Sequence, residues 1–138
     1  MKRIIVYILI LLLVAAIASC ARSCVQDISL SQPVDQIEQI ELVYSPWREN
    51  KILYALTEEE IEPFLESLFS YKLHKCNEPR DIGGSLYVKI CYSDVDIEII
   101  GTSSVGYTSD GELVHDGWFY ISYDDIEELF SMYVEVPA

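Results

Sequence analysis

The side chains able to do chemistry are few and unevenly placed. Cysteine stands at Cys20, Cys24, Cys76 and Cys91, and histidine at His74 and His115 only. Acids are abundant: 23 Asp and Glu face 9 Lys and Arg, a formal net charge of −14. No Gly-x-Ser-x-Gly turn, His-Glu-x-x-His helix, phosphate-cradling glycine loop or Cys-x-x-Cys pair occurs. His74, Cys76 and Cys91 supply three of the roughly four ligands a zinc site needs, but Lys72 and Lys89 beside them repel a cation. No metal and no cofactor is therefore expected. Carboxylate chemistry requires acids such as Asp110, Glu112 and Asp116 to converge in a concave pocket.

Two groupings within 72–91 bear on recognition and redox state. Alternation points Cys76 and Cys91 away from the apolar face, 15 positions apart. A disulfide between them would contribute roughly 3 kcal/mol on a chain-entropy account. A symmetric hairpin closed by the loop Asn77–Gly84 sets Cys76 opposite Ser85 instead, which opposes that bond. Basic residues gather in the same region, and Lys72, His74, Tyr87 and Lys89 outline a recognition face. The plainer alternative is cross-strand charge pairing, Lys89 with Glu98 or Asp96. Tyr87, Tyr107 and Tyr120 are placed on the open sheet face, and exposed aromatics on a sheet commonly bind protein or sugar.

These residues must be positioned by a series of short elements. Period-two alternation predicts strands over Gln36–Tyr44, Lys51–Leu56, Tyr71–Cys76, Ser85–Tyr92, Val95–Ile99, Val105–Ser109 and Glu112–Ile121. In the fifth of these, Val95, Ile97 and Ile99 are expected to face the core. Asp110-Gly111 is a two-residue hairpin signal, and Gly117 marks a bulge in the longer arm. Thr57-Glu58-Glu59-Glu60 reads as a capping box ahead of an apolar stripe at Ile61, Phe64, Leu65, Leu68 and Phe69. Ser122-Tyr123-Asp124-Asp125 repeats the pattern ahead of Ile126, Leu129, Phe130 and Tyr133. Capping physics alone produces this likeness, so it does not require a duplication. The result is an α+β fold: an antiparallel β-sheet with two amphipathic helices packed on one face, in the order ββα-βββββ-α.

The first 20 residues have a different character. Lys2-Arg3 precede an apolar run of about fourteen residues, Ile4–Ile17, and then Ala18-Ser19-Cys20. As a helix that run spans about 21 Å, short of the roughly 30 Å hydrocarbon core, although a short transmembrane anchor is the competing reading. Basic, apolar and small-residue regions in this order mark a secretory leader. Ile17-Ala18-Ser19-Cys20 resembles the lipobox of bacterial lipoproteins, in which an aliphatic residue and two small residues precede a cysteine. The resemblance covers the leader alone. It implies cleavage before Cys20, lipid attachment at the Cys20 thiol and localisation at a cell membrane, facing outside the cytoplasm.

The division that follows is a signal peptide over 1–19, a lipid-anchored tether over 20–35 and one α+β domain over 36–138. The domain is large enough for a single core and too small for a two-lobed solute-binding protein. Loss of Lys2 and Arg3 with the leader moves the formal charge from −14 to −16. Such a charge argues against nucleic acid and against adsorption to anionic headgroups. The expected function is a membrane-anchored, non-enzymatic binding or interaction module, whose partner is an envelope protein or a glycan. A small envelope enzyme using carboxylates and a structural envelope lipoprotein are the alternatives.

Overall fold

Along Ser85–Tyr92 every second residue is buried, and this strand sets the frame for the rest of the molecule. The computed structural model describes residues 7–8, 25–46, 49–76, 84–116 and 118–137. Its strands are β1 (Val25–Asp27), β2 (Ile37–Ser45), β3 (Lys51–Ala55), β4 (Lys72–Lys75), β5 (Ser85–Tyr92), β6 (Ile97–Gly101), β7 (Val105–Ser109), β8 (Glu112–Asp116) and β9 (Phe119–Ile121). Helices α1 (Glu58–Ser70) and α2 (Tyr123–Ser131) follow β3 and β9. The α+β class holds, with every strand pair antiparallel.

The strands form two sheets where one was expected. Six of them lie in the order β3-β2-β5-β6-β7-β8, and three in the order β1-β4-β9. The arm read as one strand over 112–121 divides: β8 pairs with β7, whereas β9 leaves to pair with β4. The Asp116 carboxylate accepts the Trp118 N–H at 3.0 Å, an Asx-type turn that redirects the chain there. The bulge expected at Gly117 lies outside the described residues.

One face of the large sheet is covered by α1, which packs on β2, by α2, which packs on β5, and by β9, which lies against β6. Phe69 at the end of the α1 stripe is 38% exposed and Tyr133 lies beyond the end of α2, but most of each predicted stripe is buried: Phe64, Leu65 and Leu68 of α1 and Ile126, Leu129 and Phe130 of α2. They meet Ile40, Leu42, Leu86, Val88, Ile90 and Tyr92 from the sheet. The helix starts are capped: Glu60 accepts the Thr57 N–H at 2.8 Å, and the Ser122 hydroxyl accepts the Asp125 N–H at 3.2 Å. The Thr57 amide holds the Glu60 carboxyl below its usual range. Pro63 lies inside α1.

Strand β6 faces opposite to expectation. Ser93-Asp94 does not close the β5–β6 connection alone, because Val95 joins the turn at φ 68° and is 89% exposed. One extra turn residue shifts the strand by one position, and with a period of two this exchanges its faces. Ile97 and Ile99 therefore point to the open side, whereas Glu98 and Ile100 point to the core. Glu98 is only 8% exposed. Its Oε2 accepts from the Tyr92 hydroxyl at 2.5 Å, the Ser31 N–H at 2.9 Å and the Ser31 hydroxyl at 3.0 Å. Burial, and next the bond to Glu98, push the Tyr92 hydroxyl well above the usual tyrosine range.

The same contacts correct the expected tether. Residues 25–35 are folded onto the body: β1 pairs with β4, Ile28 enters the core, and Gln32 donates to Asp94 at 3.0 Å and to Asp96 at 3.2 Å. This segment has no sustained period because single residues and backbone groups, not a stripe, attach it. Cys20 and Cys24 lie outside the described residues.

Two stability measurements test these features. Val95→Gly removes a β-branched side chain from a left-handed conformation and raises the unfolding free energy by about 1 kcal/mol in urea titration. Glu98→Ala strands the Tyr92 hydroxyl and the Ser31 N–H and lowers it by about 2–3 kcal/mol. Tyr92 retains its proton more tightly when folded, so its contribution is complete below its unfolded value of 10.0 and is lost as pH rises above it. Alkaline loss of stability is therefore shallower in Tyr92→Phe than in the parent chain.

Candidate functional site

The side of the six-stranded sheet away from the helices is assembled from the alternate residues of β2, β5 and β6. Register sets Glu41, Lys89, Ile99, Gly106 and His115 in one row across five strands. Gln39, Cys91 and Ile97 form a row on one side of it, and Ile52, Val43, Tyr87 and Gly101 a row on the other. Two adjoining clefts of about 270 Å³ each lie over this face, and Asn50, Tyr87, Ile99 and Leu113 line both.

Polar groups interrupt the apolar floor at defined points. Lys89 donates to Glu41 at 2.9 Å, with both side chains largely shielded. That hydrogen bond, more than any other cause, holds the lysine above its usual range. Lys89 therefore pairs toward β2, not with Glu98 or Asp96, because Glu98 has turned inward. Two glycines admit the larger groups. A Cβ on Gly101 would sit 2.9 Å from the Tyr87 Cβ, and one on Gly106 would sit 3.1 Å from His115 Nδ1. The His115 ring also lies 3.4 Å from the Ser104 hydroxyl. Such a face suits apolar side chains placed around one charged or hydrogen-bonding group.

The expected recognition face is divided between the sheets. Tyr87 and Lys89 belong to the open face just described. Lys72 and His74 lie on β4, where Lys72 forms an ion pair with Asp27 and the His74 ring lies 5.7 Å from that of Tyr120. Tyr107 is a register partner of the inward Glu98 and lines a different cavity, of about 260 Å³, between β7 and residues 26–31. Only Tyr87 of the three tyrosines assigned to the open face is found there.

The cysteines separate in the same way. Cys91 is a free thiol on the open face of the large sheet, so it is not bonded to Cys76. Cys76 follows β4, and its Sγ donates to the Trp118 carbonyl at 3.3 Å. Sequence alternation recognised that both point away from the apolar face, but it could not tell that two sheets separate them. Among the described residues, no group of three His, Cys, Asp or Glu side chains could hold a metal ion. Asp110, Glu112 and Asp116 are strung along the β7–β8 hairpin, with Glu112 and Asp116 at opposite ends of β8. At about 3.3 Å per residue those ends are about 13 Å apart, beyond the spacing of a cooperating carboxylate pair.

Ile97 and Ile99 are the members of this face that the sequence pattern turned the wrong way, whereas alternation along β2 set Glu41 opposite the core residues Ile40 and Leu42, where it lies. The available signal was the one-residue difference between a two- and a three-residue turn after Tyr92. Among the described residues no helix is long and apolar enough to cross a membrane. No protein-family model, curated protein or solved structure matches the chain.

Burial raises the Cys91 thiol above its usual range, and the Lys89 charge only partly opposes this. A raised value leaves less thiolate at pH 8. Iodoacetamide is accordingly expected to alkylate Cys91 several-fold more slowly in the folded protein than in urea. Peptide mapping by mass spectrometry separates it from the other cysteines.

Proposed function

We propose that this protein is a lipid-anchored, extracytoplasmic binding module whose open sheet face receives another protein. The observation that carries the reading is the apolar floor of Ile52, Ile97, Ile99 and Leu113, placed on the side of the sheet that neither helix covers. A face of this composition is suited to an interaction surface. Aliphatic side chains around a shielded Lys89–Glu41 pair favour a protein partner over a glycan, since sugar sites draw on stacked aromatic rings and, among the described residues, Tyr87 is the one aromatic lining the two clefts of this face besides His115.

The membrane part of the proposal rests on Ile17-Ala18-Ser19-Cys20. A diacylglycerol on Cys20 and a further acyl chain together hold a protein firmly at a bilayer, whereas a single chain is marginal. The cell membrane is the proposed location, with the domain facing outside the cytoplasm. The alternative of a carboxylate enzyme lacks a converging set of acids among Asp110, Glu112 and Asp116.

Two variants test the two halves separately. Cys20→Ala is expected to leave the leader uncut and the chain without lipid. Membrane association of an uncut, wild-type chain lacking any lipid mass would instead identify Ile4–Ile17 as an anchor. Ile99→Asp places a charge at the centre of the floor while leaving the helix-facing core alone. Crosslinking in intact cells with the parent chain should capture defined envelope proteins, and Ile99→Asp should lose them with an unchanged circular dichroism spectrum. Retention of the same partners by Ile99→Asp would exclude this face.

A further inference from the structure

The fold leaves very little chain between Cys20 and the first strand. Of the 16 residues expected as a tether, 20–35, those from Val25 onward are folded onto the body, so five residue steps separate Cys20 from β1. Fully extended, the five steps from Cys20 to Val25 reach about 18 Å. That is shorter than the diameter of a small domain. A lipid on Cys20 must therefore hold one particular end of the protein against the bilayer.

Strand register identifies that end. Val25 pairs with His74, and His74 with Tyr120. The chain enters β1 from the direction in which β4 leaves toward Lys75 and Cys76. It is also the direction from which β9 arrives, since Lys75 pairs with Phe119 and the Cys76 N–H donates to the Trp118 carbonyl. Val25, Lys75 and Trp118 thus lie at one lip of the three-stranded sheet. All three are exposed, Val25 at 41% and Trp118 at 46%. The acidic first turn of α2 lies beyond the opposite end of β9, because the chain runs from Trp118 through Ile121 into Asp124 and Asp125.

We infer that this lip, with Lys75 on its middle strand and Trp118 at the start of the edge strand β9, rests in the headgroup region of the bilayer. The inference depends on the lipid anchor proposed above. The chemistry is that of a membrane interface: an indole with an apolar body and one donor, a lysine that meets anionic phosphates, and a small apolar residue, with the one acid beside Trp118, Asp116, occupied by the Trp118 N–H. The lip also sets the strongly acidic α2 entry away from an anionic surface, which a chain of this net charge needs if it is held so close. The open face of the large sheet belongs to the other sheet and is left for a protein partner.

The test uses the full lipidated chain in vesicles of equal phosphatidylethanolamine and phosphatidylglycerol. With Trp47→Phe, Trp118 is the sole tryptophan. Lipids carrying a quencher near the headgroup should remove most of its emission, and aqueous iodide should remove little. A wild-type measurement needs no substitution: a membrane-impermeant acylating reagent should modify Lys75 several-fold more slowly than the exposed Lys51, and in Cys20→Ala free of vesicles the two rates should converge. If Cys20 carries lipid by mass spectrometry yet Trp118 is fully open to iodide and Lys75 reacts as fast as Lys51, the lip is overturned and the anchor stands. If Cys20 carries no lipid, both fall together.

Discussion

A single buried carboxylate decides how the N-terminal part of this protein is arranged. Glu98 sits where an aliphatic residue would ordinarily complete the sheet's inner face. A carboxylate taken out of water needs donors, and Tyr92 and Ser31 supply three bonds to one oxygen. Tyr92 comes from the neighbouring strand and is itself buried in the core. Ser31 comes from a segment with no helix or strand of its own at that point. The demand of the carboxylate therefore recruits an irregular stretch of chain, and Ile28 and Gln32 add contacts on either side.

The same inversion of β6 that buries Glu98 releases Ile97 and Ile99 to the opposite face. Core and open face are thus linked by one turn. Were the β5–β6 connection two residues long, the isoleucines would join Val88 and Ile90, Glu98 would be solvated beside Lys89, and the open face would be mostly polar. Val95, held in a left-handed conformation that a β-branched residue adopts at a cost, is the local sign of that arrangement.

Much of the architecture could be read from the residues because the relevant signals were local. Thr57 with Glu60 and Ser122 with Asp125 announced the helix starts. The stripes through Phe64, Leu68, Ile126 and Phe130 gave their buried faces, and Asp110-Gly111 placed a hairpin with φ of 54° and 80° at its two turn residues. Non-local decisions were less legible. Nothing in Glu112–Ile121 says that its second half abandons β8's sheet for β4, and nothing in Val25–Asp27 says that it pairs with residues 72–74. For the candidate site, Tyr87 and Lys89 were recognised and Glu41 was set on the correct face of β2, but their companions Ile97 and Ile99 depended on the phase of another strand. Lys72 and His74 were grouped with them because closeness in sequence was taken as closeness in space.

The attachment of residues 25–32 also fixes an order of events during synthesis. Ser31 bonds to Glu98 across 67 positions, and Gln32 to Asp94 across 62. These partners leave the ribosome long after the N-terminus does, and such long-range closures form late in folding. β1 in turn needs β4 in place. The beginning of the chain, although it is the first part to be made, cannot make these bonds until Glu98 exists. Residues 25–32 thus wait for partners made some sixty positions later, and their docking is what carries the folded body to within five residue steps of position 20.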